Sequence, residues 1–325
     1  MRTARTLAFA LACLATLVTF FAPLAHAEYP EKPVRVIVPY PPGGNADAMA
    51  RLVFGQLSER LKQQFIIENK GGASGTLGAG EVARAAPDGY TLLHDATAHS
   101  VNPSLYPKLP YNTLTAFAPI VHVMRVPNVL IVPANSPHKT LADYVAAARA
   151  KPGTINFGSS GNGGAQHLAG ELFAQGNKLS LVHVPYKGGG PAMTDLIGGQ
   201  LDSMFSTTTT AGAQVKSGRA RLLAVSSAQR LPDFPNVPTL AEAGSTSSES
   251  YEWNGVFAPA GTPPAILDKL ERELKAVLQL LQVQQRMADV GAQPVGGGQE
   301  ALRAFVKSEV TRWAGVIKAA GIKVE

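Results

Sequence analysis

Two stretches about 120 residues apart follow the same plan. Val34-Arg35-Val36-Ile37-Val38 runs into Pro39-Tyr40-Pro41-Pro42-Gly43-Gly44-Asn45, and Ile155-Asn156-Phe157 runs into Gly158-Ser159-Ser160-Gly161-Asn162-Gly163-Gly164. Each reads as a strand that ends in a glycine-rich turn and opens a helix. Glycine permits close backbone approach and positive φ, while a helix start presents unpaired N–H groups and the positive end of the peptide dipole. If the two turns sit on different lobes, the chain is a clamp for a small carboxylate.

The pattern around these turns alternates strand and helix. Val34–Val38, Phe65–Glu68 and Tyr90–His94 read as strands, with helical spacing of apolar residues over Ala46–Leu61 and Leu77–Ala85 between them. The middle repeats the logic. Strands are expected at Val129–Val132, Ile155–Phe157, Leu181–Val184, Leu201–Phe205 and Leu222–Val225, and helices at Leu141–Ala150, Ala165–Gln175 and Ala192–Gly198. Such alternation implies an α/β fold with parallel sheet covered by helices on both faces. A turn-rich stretch from Pro232 and a polar segment from Ser245 to Ser250 mark a boundary. Beyond it Ala265–Leu281, Gln282–Val290 and Gln299–Ala320 read as helices without new strands. The simplest arrangement crosses between lobes near Val126–Val132 and returns near Tyr251–Phe257, so that the terminal helices dress the first lobe.

Arg2 and Arg5, an apolar run from Leu7 to about Phe21 and the triplet Ala25-His26-Ala27 make residues 1–27 a secretory signal peptide, with cleavage expected after Ala27. Cys13 is the one cysteine, so the mature chain of about 298 residues has no thiol chemistry. Without Arg2 and Arg5 there are 27 basic against 23 acidic residues, and the excess forms no block. That argues against nucleic acid as a partner and suits weak attraction of anions.

The motifs, in order, resemble the periplasmic solute-binding (Bug-type) receptors of tripartite tricarboxylate transporters. The resemblance rests on Tyr29-Pro30 through Val38, Pro41-Pro42-Gly43-Gly44 with Asp47, Glu68-Asn69-Lys70, Pro87-Asp88-Gly89-Tyr90-Thr91-Leu92-Leu93 and Asn102-Pro103-Ser104-Leu105-Tyr106. It continues through Ser159-Ser160-Gly161 with His167-Leu168, His183-Val184-Pro185-Tyr186-Lys187-Gly188 and Pro238-Thr239-Leu240-Ala241-Glu242-Ala243-Gly244. The resemblance implies a two-lobed periplasmic-binding-protein fold (Venus flytrap, type II) with two interlobe crossovers. Lobe 1 would be 28–127 with 251–325, and lobe 2 would be 128–250. It also implies periplasmic export, capture of a small organic carboxylate and delivery to the membrane permease subunits of such a transporter, with no catalysis and no cofactor. A monomer is expected. A departure bears on the ligand: where the family often carries an acidic residue after the strand ending at Phe205, this chain reads Ser206-Thr207-Thr208. Serine and threonine cannot supply that charge to a ligand ammonium, which favours plain carboxylates over amino acids.

Candidate ligand contacts follow. Pro41 and Pro42 have no N–H, so the first free donors after Tyr40 are Gly43, Gly44 and Asn45. Asp47, three residues after Gly44, is placed to cap its own helix and is a weaker candidate for the ligand. Ser159, Ser160, Asn162, Gly163 and Gly164 offer hydroxyls, a carboxamide and backbone N–H groups ahead of the helix that carries His167. Thr97, Ser206 and Thr207 lie at strand C-termini, where ligands lodge in open α/β sheets. Tyr186 is placed to close over a ligand's carbon skeleton.

Other classes fit less well. Neither Gly72-Ala73-Ser74-Gly75-Thr76 nor Gly158-Ser159-Ser160-Gly161-Asn162 completes a nucleophile elbow, which disfavours an exported hydrolase. Gly78-Ala79-Gly80-Glu81-Val82-Ala83 matches a dinucleotide fingerprint but follows a loop instead of a strand. The seven histidines have no paired spacing of three or four residues, so no metal site is expected. A receptor that signals to a membrane kinase instead of feeding a permease is left open.

Overall fold

A computed structural model of the protein describes residues 29–246 and 249–322. The expected leader 1–27, its cleavage after Ala27 and Cys13 lie outside the described residues. The described residues from Lys32 onward form one compact unit.

The first half opens with β1 (Val34–Val38), α1 (Asn45–Leu61), β2 (Phe65–Asn69), α2 (Thr76–Ala83), β3 (Thr91–Ala96) and α3 (Ala98–Leu105). β1 lies between β2 and β3, parallel to both. Four of its five residues are buried, as expected of a strand covered on both faces. Next comes β4 (Phe117–Pro133), a 17-residue strand. The second half holds α4 (Leu141–Ala150), β5 (Asn156–Ser159), α5 (Ala165–Asn177), β6 (Val182–Pro185), α6 (Gly189–Ile197), β7 (Ser203–Thr207), α7 (Thr208–Lys216) and β8 (Ala220–Val225). The chain returns through β9 (Tyr251–Pro259) to α8 (Pro264–Leu278), α9 (Leu281–Asp289), β10 (Gln293–Gly297) and α10 (Gln299–Ala320).

β4 belongs to two sheets. Its residues from Phe117 to Pro127 pair antiparallel with β9, which in turn pairs antiparallel with β3. From Asn128 onward it pairs with β7 and β8 instead. β5 joins β7 and β6 in parallel. The changeover falls at Pro127-Asn128. Pro127 has no N–H to give to a ladder. Asn128 turns to the returning chain, donating its backbone N–H to the Ser250 carbonyl at 3.2 Å and its Nδ2 to Ser250 Oγ at 3.2 Å. The fold is therefore two-lobed, with β4 passing between the sheets beside the segment that leads into β9.

Each lobe buries its own core. Along β4 the side chains alternate between two clusters: Leu130 and Val132 pack with Tyr144, Phe157, Phe173 and Phe205, while Val129 and Ile131 pack with Met193, Leu196, Met204 and Leu222. That is the period-two pattern of a strand covered on both faces. Around the first sheet Ile37, Val82, Leu93, Trp253 and Phe257 meet Leu302 and Val306 of α10. Further along α10, Trp313, Val316 and Ile317 pack with Val101 and Leu105 of α3 and with Leu168 of α5, so one apolar cluster touches both lobes.

Two expectations need correction. The sheets are mixed, because β4 and β9 run against their neighbours. The C-terminal part contributes a strand, β10, antiparallel to β4 at Gln293 and Arg125. Two helices at the cleft escape a propensity reading. α3 carries an internal proline, Pro103, and α7 begins with three β-branched threonines. Packing of Ala211 into the lobe-2 core, not intrinsic preference, holds α7.

Candidate functional site

The two glycine turns have nearly the same backbone. Gly44 precedes α1 with φ −77° and ψ 170°, and Gly164 precedes α5 with φ −74° and ψ 167°. The residue before each takes a left-handed φ, +82° at Gly43 and +70° at Gly163. Neither helix has a side-chain N-cap. Instead the third residue of each helix reaches back to the glycine four positions before it. Gly43 N–H donates to Asp47 Oδ2 at 2.9 Å, and Gly163 N–H donates to His167 Nδ1 at 3.0 Å. These two amides, expected to meet a ligand, are already satisfied, as is that of Gly164, which donates to the Gly161 carbonyl at 3.3 Å. The donors left open are the next ones, Gly44, Asn45 and Ala46 on one side and Ala165 and Gln166 on the other, which no intrahelical carbonyl can serve.

Both braces are themselves held. Asp47 also accepts from Arg51 at 2.9 Å and from Asn69 Nδ2 at 2.9 Å. Although burial works to raise it, these bonds keep the Asp47 carboxyl below the usual carboxylate range. His167 lies flat on His183, with ring centroids 3.6 Å apart and planes within 6°. Because Nδ1 of His167 accepts the Gly163 N–H hydrogen bond, the ring hydrogen is assigned to Nε2, 3.6 Å from Glu171 Oε1. His183 Nε2 meets Ser159 Oγ at 2.7 Å. Burial, and then the neighbouring His167, push His183 down to about 3, so His183 is uncharged at neutral pH.

Both turns open onto one cavity of about 660 Å³, a size suited to a small molecule. Of the residues expected from sequence, Tyr40, Gly43, Gly44, Asn45, Thr97, Ser160, Asn162, Gly163, Gly164, Ser206 and Thr207 line it. Tyr40 presents its ring, because its hydroxyl donates to Asp95 Oδ1 at 2.7 Å. Burial, then Asp95, hold that phenol well above its usual pKa. Asp95 also accepts from the Ala96 N–H at 2.8 Å and meets His99 Nδ1 at 2.9 Å. Thr97 Oγ1 accepts the Trp253 N–H at 3.2 Å, which ties this wall to β9.

Four expected residues stand outside the lining. Asp47 and His167 are the braces described above, and Ser159 is buried against His183. Tyr186 donates to Asp195 at 2.7 Å and packs with Val184 on the lobe-2 core, where burial and that carboxylate push it up to about 12. For Ser159, His167 and Tyr186 the partner is one that spacing along the chain does not show.

The cavity also recruits residues not singled out from the sequence as ligand contacts. Ser74 sits at φ +53° on a turn held by Asn102 Nδ2 to its carbonyl at 2.9 Å and by Tyr106 OH to its Oγ at 3.1 Å. Lys187, with Gly188–Gly190 at the start of α6, and Thr209 and Thr210 in α7 complete the lobe-2 wall. Lys187 is the one cation among the lining residues, and Glu252 the one acid. Glu252 Oε1 accepts from Asn45 Nδ2 at 2.9 Å and Oε2 accepts from Gln166 Nε2 at 2.9 Å. Among the described residues no three His, Cys, Asp or Glu side chains are placed to hold a metal, and no helix is long and apolar enough to cross a membrane.

The family model described as "Tripartite tricarboxylate transporter family receptor", TctC, matches residues 49–322. The chain belongs to that family. Protein BugT of Bordetella pertussis is 36% identical to this receptor over 306 residues, which cover 94% of each chain. A solved structure of an R. palustris protein with adipate shares 34% identity at a TM-score of 0.83, covering 91% of this receptor and all of that chain. MatC of Rhodopseudomonas palustris with bound malate shares 32% identity at a TM-score of 0.79, covering 89% of this receptor and all of that chain. The receptor is thus a periplasmic solute-binding protein of the tripartite tricarboxylate type.

Proposed function

We propose that this receptor closes around a small organic carboxylate, held between the open amides of Gly44, Asn45 and Ala46 on lobe 1 and those of Ala165 and Gln166 on lobe 2. It then presents the closed form to the permease subunits of a tripartite tricarboxylate transporter. The lobes are residues 28–127 with 251–325 and residues 128–250, the leader is cleaved after Ala27, and the mature chain acts as a monomer. It carries out no chemistry on its ligand and uses no cofactor.

The observation that carries this reading is that two helix starts of matching backbone geometry, one from each sheet, line the same cavity with Lys187 as its one cation. Open amides and helix dipoles favour an anion there. A hydrogen bond to a charged group is worth about 1.5–3 kcal/mol net, and a helix terminus adds about 0.3–1 kcal/mol. Four or five such contacts, less the cost of association, reach the ~8 kcal/mol of micromolar binding. Only the closed state makes contacts from both lobes, so the ligand selects it.

The lobe-2 wall presents the hydroxyls of Ser206, Thr207, Thr209 and Thr210 and no carboxylate. Each oxygen of Glu252 already accepts an amide hydrogen. Both facts favour plain carboxylates over amino acids. The adipate and malate in the related R. palustris structures support the same class. A thermal-shift screen of the mature protein against carboxylates, amino acids and neutral analogues tests this, with titration calorimetry on the hits. Stabilisation by plain mono- or dicarboxylates is expected; selective stabilisation by amino acids, or by none of the panel, overturns the reading.

A further inference from the structure

Glu252 sits where the two lobes meet. It lies on β9, opposite Val126 of β4, one residue into the returning crossover. Its Oε1 is held by Asn45, the first residue of α1 and part of the same lobe, and its Oε2 is held by Gln166, the second residue of α5 in the other lobe. Gln166 is buried, and its Oε1 accepts from Ser160 Oγ of the lobe-2 glycine turn. The orientation of the Gln166 amide is dictated by this pair of neighbours. A flipped amide would aim its oxygen at a carboxylate oxygen, whereas the Ser160 hydroxyl accommodates either end.

The result is a relay of polar groups, Asn45 to Glu252 to Gln166 to Ser160, that joins both glycine turns through the crossover. Its two halves differ. The Asn45 bond lies within one lobe and survives any rigid-body opening, so it keeps Glu252 aimed. The Gln166 bond spans the lobes and must break when they part. We infer that Glu252 is a positioning residue for ligand capture: with Gln166 it forms an interlobe latch, made on closing, that sets the spacing of the two anion-binding helix starts. This rests on the proposed function for its purpose, but the latch itself exists without a ligand.

The test exploits the chemistry of the pair. Gln166→Glu sets two carboxylates face to face across the lobes. The double change Gln166→Glu with Glu252→Gln restores one carboxylate and one amide with their places exchanged. The amide, now on β9, would accept from Asn45 and donate across the lobes to the carboxylate, now on α5, which still accepts from Ser160. Small-angle scattering of the mature, ligand-free protein reads the open fraction. Calorimetry with the tightest carboxylate of the panel reads affinity, and thermal unfolding confirms that each variant is folded. The single variant is expected to scatter as a more open particle and to bind about tenfold to a hundredfold more weakly, the span for a lost hydrogen bond to a charged group. The exchanged pair is expected to recover both readouts, affinity to within about threefold.

A folded Gln166→Glu protein with wild-type scattering overturns the latch, as does a folded exchanged pair that stays as open as the single variant. If the exchanged pair does not fold, Gln166→Leu, which removes the bond without adding charge, must show the same opening or the inference fails. Should no carboxylate bind the wild-type protein, the proposed function falls, while ligand-free scattering still decides the latch.

Discussion

Gly163→Ala separates closing from folding. Gly163 has φ +70°, and a methyl group added there would run into Leu105 Cδ1. Leu105 belongs to α3 in lobe 1, whereas Gly163 belongs to the turn before α5 in lobe 2, so the collision exists only while the lobes are together. Two costs arise, and they act on different states. Holding alanine in the left-handed region costs about 1–2 kcal/mol in the open and closed forms alike. Overpacking against Leu105 costs about 1–3 kcal/mol in the closed form only. The first lowers Tm by roughly 2–6 °C. The second weakens ligand binding by about 5- to 150-fold, because binding draws on the closed state. Calorimetry and thermal unfolding on one preparation measure both. Leu105→Ala in the same chain removes the obstructing carbons and is expected to return part of the affinity without returning the Tm. Gly44→Ala is a contrast: its added methyl would lie 3.7 Å from the Pro41 carbonyl at an ordinary φ, so folding should be nearly unaffected. If Gly163→Ala binds as tightly as the wild type, or if Leu105→Ala deepens its defect, the assignment of Leu105 and Gly163 to opposing surfaces of a closing cleft is wrong.

Three further outcomes are expected. Asp47→Ala strips acceptors from Gly43, Arg51 and Asn69 and should cost about 1–3 kcal/mol in urea unfolding; an unchanged midpoint would show that the turn holds itself. His94, His122 and His183 are pushed down to about 4, 4 and 3, in each case chiefly by burial. Their neutral forms stabilise the fold fully above the ordinary histidine pKa of about 6.5, and that contribution is lost as pH falls toward 4 because the unfolded chain takes up the protons first. Unfolding midpoints should therefore drop steadily between pH 6.5 and 4, and more shallowly in His94→Leu; identical slopes in the two proteins would exclude His94 as a contributor. Lys187→Gln should weaken carboxylate binding by up to about fivefold and flatten its dependence on salt, whereas an unaltered salt slope would place the ammonium away from the ligand.

Much of the architecture was legible in residue order. β1, α4 and α10 fall on the expected residues, since continuous apolar runs and 3.6-residue spacing are local signals. What escaped is non-local. β10 is Gln293-Pro294-Val295-Gly296-Gly297, a strand with two glycines and a proline that exists because β4 offers it an edge. The mixed sheet follows from crossovers whose direction no window of sequence encodes. In the site, glycine spacing pointed to both turns, and most of the residues expected to meet a ligand do line the cavity. It misjudged which amides are open, because the partners of Gly43 and Gly163 are supplied by side chains one helical turn on. Capping was anticipated for Asp47 but not for His167. Glu252 and Gln166 carry no motif. Their pairing joins positions 86 residues apart and depends wholly on two lobes meeting.

The matched braces beneath the glycine turns also bear on how fast a solute is taken up. With Gly43 tied to Asp47, and Gly163 to a histidine stack, neither rim has to become ordered when a guest arrives. The entropy that a floppy rim would surrender at that moment has been spent already during folding, so uptake is paced by encounter and by the swing of the lobes.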